Sequence, residues 1–248
     1  MTRIVVFLPA YNEAESIGGV IRRVPRVLPG FPNAVVEIVV VDDGSTDATA
    51  SAAAEAGADR VLRQPRNRGL GAAVRAGLAE SLRLGADVGV MIDADNEYPP
   101  ESIPAVVEPI LRGEADYVFG SRFLGTIKGM KLHRRLGNYA FTWLQRILLA
   151  VSPGYGARFV RLTDGQSGMR AFSREAMERA DIIHDYNYAQ VITLNLLRQG
   201  FRHKDMPIAY QVRTKGRSFI KLRKYAMAVL PAIALEMRRK PRKRAGLS

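Results

Sequence analysis

Three groups of residues in this chain carry chemistry by type and spacing. Pro9-Ala10-Tyr11-Asn12-Glu13 follows the apolar run Arg3–Leu8, Asp42-Asp43-Gly44-Ser45 follows Val35–Val41, and Asp93-Ala94-Asp95 follows Val88–Ile92. Carboxylates gathered in one place repel each other unless a cation neutralises them. Hard oxygen donors suit Mg2+ or Mn2+, and such ions bridge one or two carboxylates to substrate phosphates. The pattern therefore reads as a metal–diphosphate site. Singly, each motif has a plainer reading: an Asp-x-Asp turn, or an Asp-Asp-Gly-Ser turn leading into a helix N-cap. Joint placement after successive buried strands favours the site, because ligands of open parallel sheets bind beyond the strands' carboxyl ends.

Other chemistries are excluded by absence. The chain has no cysteine, so disulfides, thiol catalysis and cysteine-ligated zinc are ruled out. Its three histidines, His133, His184 and His203, leave little scope for a multi-histidine metal site. No glycine-rich dinucleotide fingerprint follows the first strand, and no P-loop is present.

The elements that must position these groups alternate. Strands are expected at Arg3–Leu8, Val35–Val41, Arg60–Arg63, Val88–Ile92 and Tyr117–Gly120, and helices at Glu13–Val24, Ala48–Ala56, Gly69–Leu84 and Ile103–Leu111. This order predicts an α/β fold with a mostly parallel sheet flanked by helices. Further on, helices are expected at Leu136–Val151, Ser173–Ala180 and Tyr188–Arg198, and an extended run at Phe201–Gln211. The largely apolar Phe219–Met237 and a basic tail close the chain.

Charge divides unevenly along this 248-residue chain, whose formal net charge is +13. Residues 1–116 hold 11 basic and 17 acidic side chains, whereas 117–163 hold eight basic and none acidic, and 201–248 hold 14 basic and two acidic. Such a cationic half calls for an anionic partner: nucleic acid, an anionic membrane surface, or a phosphorylated substrate. No aromatic platform or reading helix interleaves the basic residues, which argues against nucleic acid. The N-terminus lacks a signal-peptide pattern, and no run of about 18 apolar residues suggests a spanning helix.

The set PAYNEAESI at 9–17, VVVDDGSTDAT at 39–49, NRGLGAAVRAGL at 67–78, DADNEYPPE at 93–101 and GSR at 120–122 resembles a family 2 glycosyltransferase of the GT-A (Rossmann-like) fold. Downstream, TDGQSGMRAFSREA at 163–176 and MPIAYQVRTKGRSFIKL at 206–222 resemble the dolichyl- or polyprenyl-phosphate mannosyltransferase branch. The resemblance implies that Pro9, Tyr11 and Glu13 line the nucleotide pocket, that Asp43 contacts the nucleoside and that Asp42 supports it. It implies that Asp93 and Asp95 hold the cation and the donor diphosphate. Glu97 stands where the mannosyltransferases commonly have Gln, and adds a third carboxylate to the metal site. Arg122, with Arg134 or Arg135, would bind the acceptor phosphate, and Arg213 would approach the phosphates. Ser218 and Lys221 are further acceptor candidates. Asp95, Arg122 and Arg213 are the residues expected to carry the reaction.

The implied activity is inverting transfer of a sugar, mannose or glucose, from a GDP- or UDP-sugar to a polyprenyl phosphate, with Mg2+ or Mn2+ stabilising the leaving diphosphate. A lipid phosphate oxygen is already anionic, so no strong general base is required. The expected layout is a catalytic domain over 1–218 and a basic, apolar, amphipathic segment over 219–248 that either lies in the membrane interface or packs on the domain or on another subunit. The expected location is cytoplasmic, peripheral on the cytoplasmic face of the membrane, with a membrane-protein partner or a homodimer as further partners. The alternative is a glycosyltransferase of the same fold with a soluble or protein acceptor.

Overall fold

The computed structural model describes residues 1–152, 161–185, 188–213 and 222–242. The apolar runs form strands β1 (Thr2–Ala10), β2 (Ala34–Asp42), β3 (Arg60–Arg63), β4 (Val88–Met91) and β5 (Tyr117–Ser121). Helices α1 (Ile17–Arg23), α2 (Thr49–Glu55), α3 (Leu70–Arg83) and α4 (Ile103–Leu111) connect them. There follow β6 (Ile127–Lys128), α5 (Leu132–Ala150), β7 (Arg170–Ser173), α6 (Arg174–Arg179), α7 (Ala189–Arg198), β8 (His203–Pro207), β9 (Tyr210–Gln211) and α8 (Leu222–Arg238).

Seven strands make one sheet in the order β3-β2-β1-β4-β7-β5-β8, and β6 pairs with β9 separately. Within the large sheet every pairing is parallel except those of β7, which runs antiparallel between β4 and β5. This is the α/β, GT-A arrangement that the sequence predicts. Side chains alternate across the pleat. Val5, Phe7, Val39 and Val41 pack on one face beneath Val74 and Leu78 of α3 and Ile192 of α7. Ile4, Val6, Leu8, Ile38 and Val40 pack on the other, beneath α1, α2 and α4.

The chain goes from β1 outward through β2 and β3, then crosses back to β4 on the other side of β1. The carboxyl ends of β1, β2 and β4 thus flank the point where strand order reverses, where ligands bind in such sheets.

Several elements depart from expectation. β1 runs through Pro9, in register with Val41, and ends at Ala10, whose carbonyl accepts from the Asp43 amide. α1 begins at Ile17, since Glu13 to Ser16 form a turn. α5 begins one turn earlier than expected, so it contains Arg134 and Arg135. β7 was not expected, and the run at 201–211 divides into β8 and β9 on different sheets.

α8 packs on α7. Val229, Ala232, Ile233 and Glu236 are buried, while Met227, Leu230 and Leu235 are exposed. Arg198 of α7 donates to the carbonyls of Glu236 (2.6 Å), Met237 (3.2 Å) and Arg239 (3.0 Å), satisfying carbonyls at the end of α8 that lack helical partners. No helix among the described residues is long and apolar enough to cross a membrane.

Candidate active site

The loops after β1 and β2 are stitched together by short polar side chains. Asn12, in the left-handed region at φ 55°, donates its amide to Ser45 Oγ (3.0 Å) and accepts from the Thr46 amide (2.9 Å) through Oδ1. The Glu13 amide donates to Thr49 Oγ1 (2.9 Å). Asparagine tolerates this conformation better than most residues. Gly44 is required by its φ of 72°, and a Cβ there would lie 2.4 Å from the Arg66 carbonyl carbon.

Asp42 and Asp43 shape these loops. Asp42 is fully buried; its Oδ1 accepts from the Ser45 amide (2.8 Å), and its Oδ2 lies 3.4 Å from Arg63 Nε. Asp43 accepts from the amides of Arg68 (2.9 Å) and Gly69 (2.8 Å), which fixes the entry to α3. Burial raises the Asp43 pKa, and the two amides only partly offset it. A cavity of about 650 Å3 opens beside these amides, bounded by 67–69, Arg75 and 182–185. Of the other expected nucleotide contacts, Pro9 is buried within β1, while Tyr11 and Glu13 are half-buried on the loop that follows.

Beyond β4, Asp93, Asp95 and Glu97 follow one another along the chain and differ in what surrounds them. Burial raises the Asp93 carboxyl well above the usual carboxylate range, and the charges of Asp95 and Glu97 add to the effect. No side chain or amide among the described residues hydrogen-bonds to that carboxylate. It is crowded instead by Gly168, where a Cβ would fall 1.9 Å from Asp93 Oδ2. The Gly168 amide in turn donates to the buried Tyr98 hydroxyl (2.9 Å). Burial, then the Glu97 charge, pushes Asp95 up to about 6. Asp95 accepts from the Glu97 amide (3.1 Å) and lies 3.7 Å from Arg213.

Glu97 differs from both. Its carboxylate accepts from the Tyr210 hydroxyl (2.6 Å) and from both terminal nitrogens of Arg134 (3.4 and 3.2 Å), with the Arg213 amide at 3.5 Å. The sequence reading put Glu97 on the cation; the structure instead surrounds its oxygens with protein donors.

The expected arginines separate in the same way. Arg213 spans Glu13 (3.2 Å) and Asp95 (3.7 Å), and so joins the first loop to the Asp-x-Asp turn. Arg134 is the member of its pair that reaches the acids. Arg135 is exposed, with its guanidinium 5.9 Å from the Tyr139 ring. Arg122, expected at an acceptor phosphate, is buried and gripped by the fully buried Asp164 through two bonds of 2.6 and 2.7 Å. Ser218 and Lys221 lie outside the described residues.

Five further residues shape the site without having been singled out from the sequence: Asp164, Gly168, Tyr98, Tyr210 and Arg170. Arg170 is fully buried and donates to the carbonyls of Ser167 and Gly165 (both 2.9 Å), holding the loop that carries Gly168 against Asp93. Asp164, Gly168 and Arg170 fall in one motif, Thr163 to Arg170, that is visible in the chain, but its partners lie far away in sequence.

The donors fit Mg2+ or Mn2+. Among the described residues Asp93 and Asp95 keep acceptor positions open, and burial first, then the neighbouring carboxylates, raises both pKa values. No group of three or more metal-binding side chains converges among the described residues. Such ions are commonly held by one or two carboxylates together with substrate phosphates.

Comparison with known proteins agrees with this geometry. The family model for glycosyl transferase family 2 matches residues 5–180. The chain belongs to that family. Among its relatives, the polyprenol monophosphomannose synthase of Mycolicibacterium smegmatis is 32% identical over 87% of this chain and 80% of its own length. The UDP-N-acetylglucosamine–dolichyl-phosphate N-acetylglucosaminyltransferase of Methanococcus voltae is 31% identical over 71% of each chain. A solved structure of Mycobacterium tuberculosis glucosyl-3-phosphoglycerate synthase with Mn2+, UDP-glucose and phosphoglyceric acid superposes with a TM-score of 0.69 at 25% identity, covering 95% of this glycosyltransferase and 80% of that chain.

That complex corrects the expected partners. Its acceptor is phosphoglyceric acid, a small water-soluble acid, and not a polyprenyl phosphate. The fold supplies physical reasons for the correction. Arg122 is committed to Asp164, and α8 gives its Val229–Ile233 face to the domain. The acceptor bound in that complex therefore stands against both the polyprenyl phosphate and the anionic membrane surface as partners.

Proposed function

We propose that this family 2 glycosyltransferase moves a sugar from a nucleoside-diphosphate donor to a small, soluble acceptor carrying a phosphate or carboxylate. The observation that carries the reading is the open Asp93–Asp95 pair with Arg213 and Arg134 close by. The superposable enzyme solved with Mn2+, UDP-glucose and phosphoglyceric acid supports the same substrate classes.

Asp93 and Asp95 would hold Mg2+ or Mn2+ beside the donor's diphosphate. The ion, when bound, offsets the charge that develops on the leaving nucleoside diphosphate. Tyr11, Glu13 and the loop built by Asp42 and Asp43 frame the nucleoside. Arg213 orients the diphosphate between the first loop and the Asp-x-Asp turn, and Arg134 meets the acceptor's anionic group. The acceptor's oxygen bonds to the anomeric carbon as the bond to the diphosphate breaks. The acceptor hydroxyl's proton passes to the departing diphosphate oxygens.

The test is a transfer assay with Mn2+ and a panel of UDP- and GDP-sugars, read by mass spectrometry of the product. Phosphoglycerate is offered in solution and a short polyprenyl phosphate in detergent. Glycosylated phosphoglycerate supports the reading; transfer confined to the polyprenyl phosphate overturns it.

A further inference from the structure

We infer that Glu97 is a positioning residue: a fixed counter-ion that holds Arg134 ready for the acceptor's anionic group, and not a ligand of the cation. The inference rests on the acceptor reading above and adds to it the residue that sets the acceptor-binding arginine.

An ionised carboxylate offers about four lone-pair directions. At Glu97 all are approached by protein donors: Arg134 Nη1 (3.4 Å) and the Arg213 amide (3.5 Å) at Oε1, and Arg134 Nη2 (3.2 Å) and the Tyr210 hydroxyl (2.6 Å) at Oε2. A cation would have to displace one of them. Among the described residues, Asp93 and Asp95 present no such saturation. Glu97 is also held as backbone, because its carbonyl accepts from the Gln211 amide (3.1 Å) in β9. The carboxylate is thus an immobile anchor, and its side chain is only 6% exposed.

Arg134 is built differently. Its side chain is 38% exposed, and it sits in the first turn of α5. A guanidinium has five N–H donors, and only one from each terminal nitrogen is turned to Glu97. The remaining edge is available to a planar anion such as phosphate or carboxylate. Tyr210 forms the floor, its ring 5.8 Å from the Arg134 guanidinium and 5.3 Å from that of Arg122. Asp164 fixes Arg122, so the floor is rigid. The first turn of α5 contains no acidic residue. A cation there opposes the helix dipole, so Glu97 is what holds Arg134 in place. The same positive helix end favours an arriving anion.

The test compares Glu97→Gln, Arg134→Ala and the double variant with the parent protein. Glu97→Gln keeps the shape, removes the charge and turns a donor toward Arg134. The first readout is the melting-temperature rise given by Mn2+ with UDP, which needs no turnover. It is expected to be unchanged in Glu97→Gln; a lost or halved rise would make Glu97 a metal ligand and overturn the inference. The second readout is kinetic, with phosphoglycerate as acceptor. Both single variants are expected to raise its KM about tenfold at unchanged donor KM, and the double variant to add little to Arg134→Ala. Additive losses, or an unaltered acceptor KM in either single variant, would also overturn it. If the parent protein transfers nothing to phosphoglycerate, the acceptor reading fails first, and the Mn2+–UDP shift still decides whether Glu97 binds the cation.

Discussion

Two parts of this molecule use the same residue types to opposite ends. At the Arg122–Asp164 pair, a buried carboxylate meets a forked guanidinium in two short bonds and an amide in a third (3.1 Å). At the end of β4, Asp93 and Asp95 are half-buried, and among the described residues Asp95 meets Arg213 only at 3.7 Å while Asp93 has no hydrogen-bonding partner. A buried charge that is fully paired is part of the scaffold. A buried cluster left short of positive charge is costly in the free protein and is relieved when a cation binds. The contrast separates structural acids from functional ones better than burial alone does.

The most severe way to probe the contrast is at Asp95. Asp95→Ala is expected to lower transfer by about a thousandfold or more, since the leaving diphosphate loses the ion that stabilises it. The melting temperature of the ligand-free variant, measured at pH 7.5, should not fall, because a strained carboxylate has been removed. Arg122→Ala reverses the pattern. It leaves Asp164 buried without its partner and should cost about 3–5 kcal/mol in urea unfolding. By comparison, Arg63→Ala, which removes an exposed guanidinium 3.4 Å from Asp42, should cost less than Arg122→Ala.

Gly168→Ala sharpens the geometric side of the comparison. The new methyl group would press on Asp93 Oδ2, and the donor site should lose about 10- to 100-fold in Mn2+ affinity, read as the metal concentration giving half-maximal melting shift.

The smallest effect is one of pH. The Asp95 carboxyl, raised to about 6, holds more protons in the folded than in the unfolded chain between about 4 and 6. Its contribution therefore destabilises the ligand-free protein above pH 6 and is relieved as pH falls toward 4. Mn2+ needs the ionised form, so the Mn2+ concentration giving half-maximal melting shift with UDP present should be severalfold higher at pH 5.5 than at 7.5. Asp95→Asn should flatten both trends.

Much of the frame was legible in the chain. Val35–Val41 and Val88–Ile92 are buried runs rich in branched side chains, so their carboxyl ends could be located to within a residue of the observed β2 and β4. β7 was not legible: Arg-Ala-Phe-Ser is four residues long and is a strand only because β4 and β5 present edges on both sides. The start of α5 was hidden because Leu-His-Arg-Arg reads as a basic loop, and that one turn decides where Arg134 stands.

Order, burial and the placement of acids after strands follow from local periodicity and turn chemistry, and these the sequence determined unaided. It therefore indicated an α/β sheet with Asp42, Asp43, Asp93 and Asp95 along one edge. Which cation meets which acid was decided only in three dimensions. Arg122 and Asp164 are 42 residues apart, Arg134 and Glu97 are 37 apart, and Tyr210 and Glu97 are 113 apart. No pattern within a strand or helix encodes such meetings, because they arise when the loops of separate strands close over a single edge of the sheet.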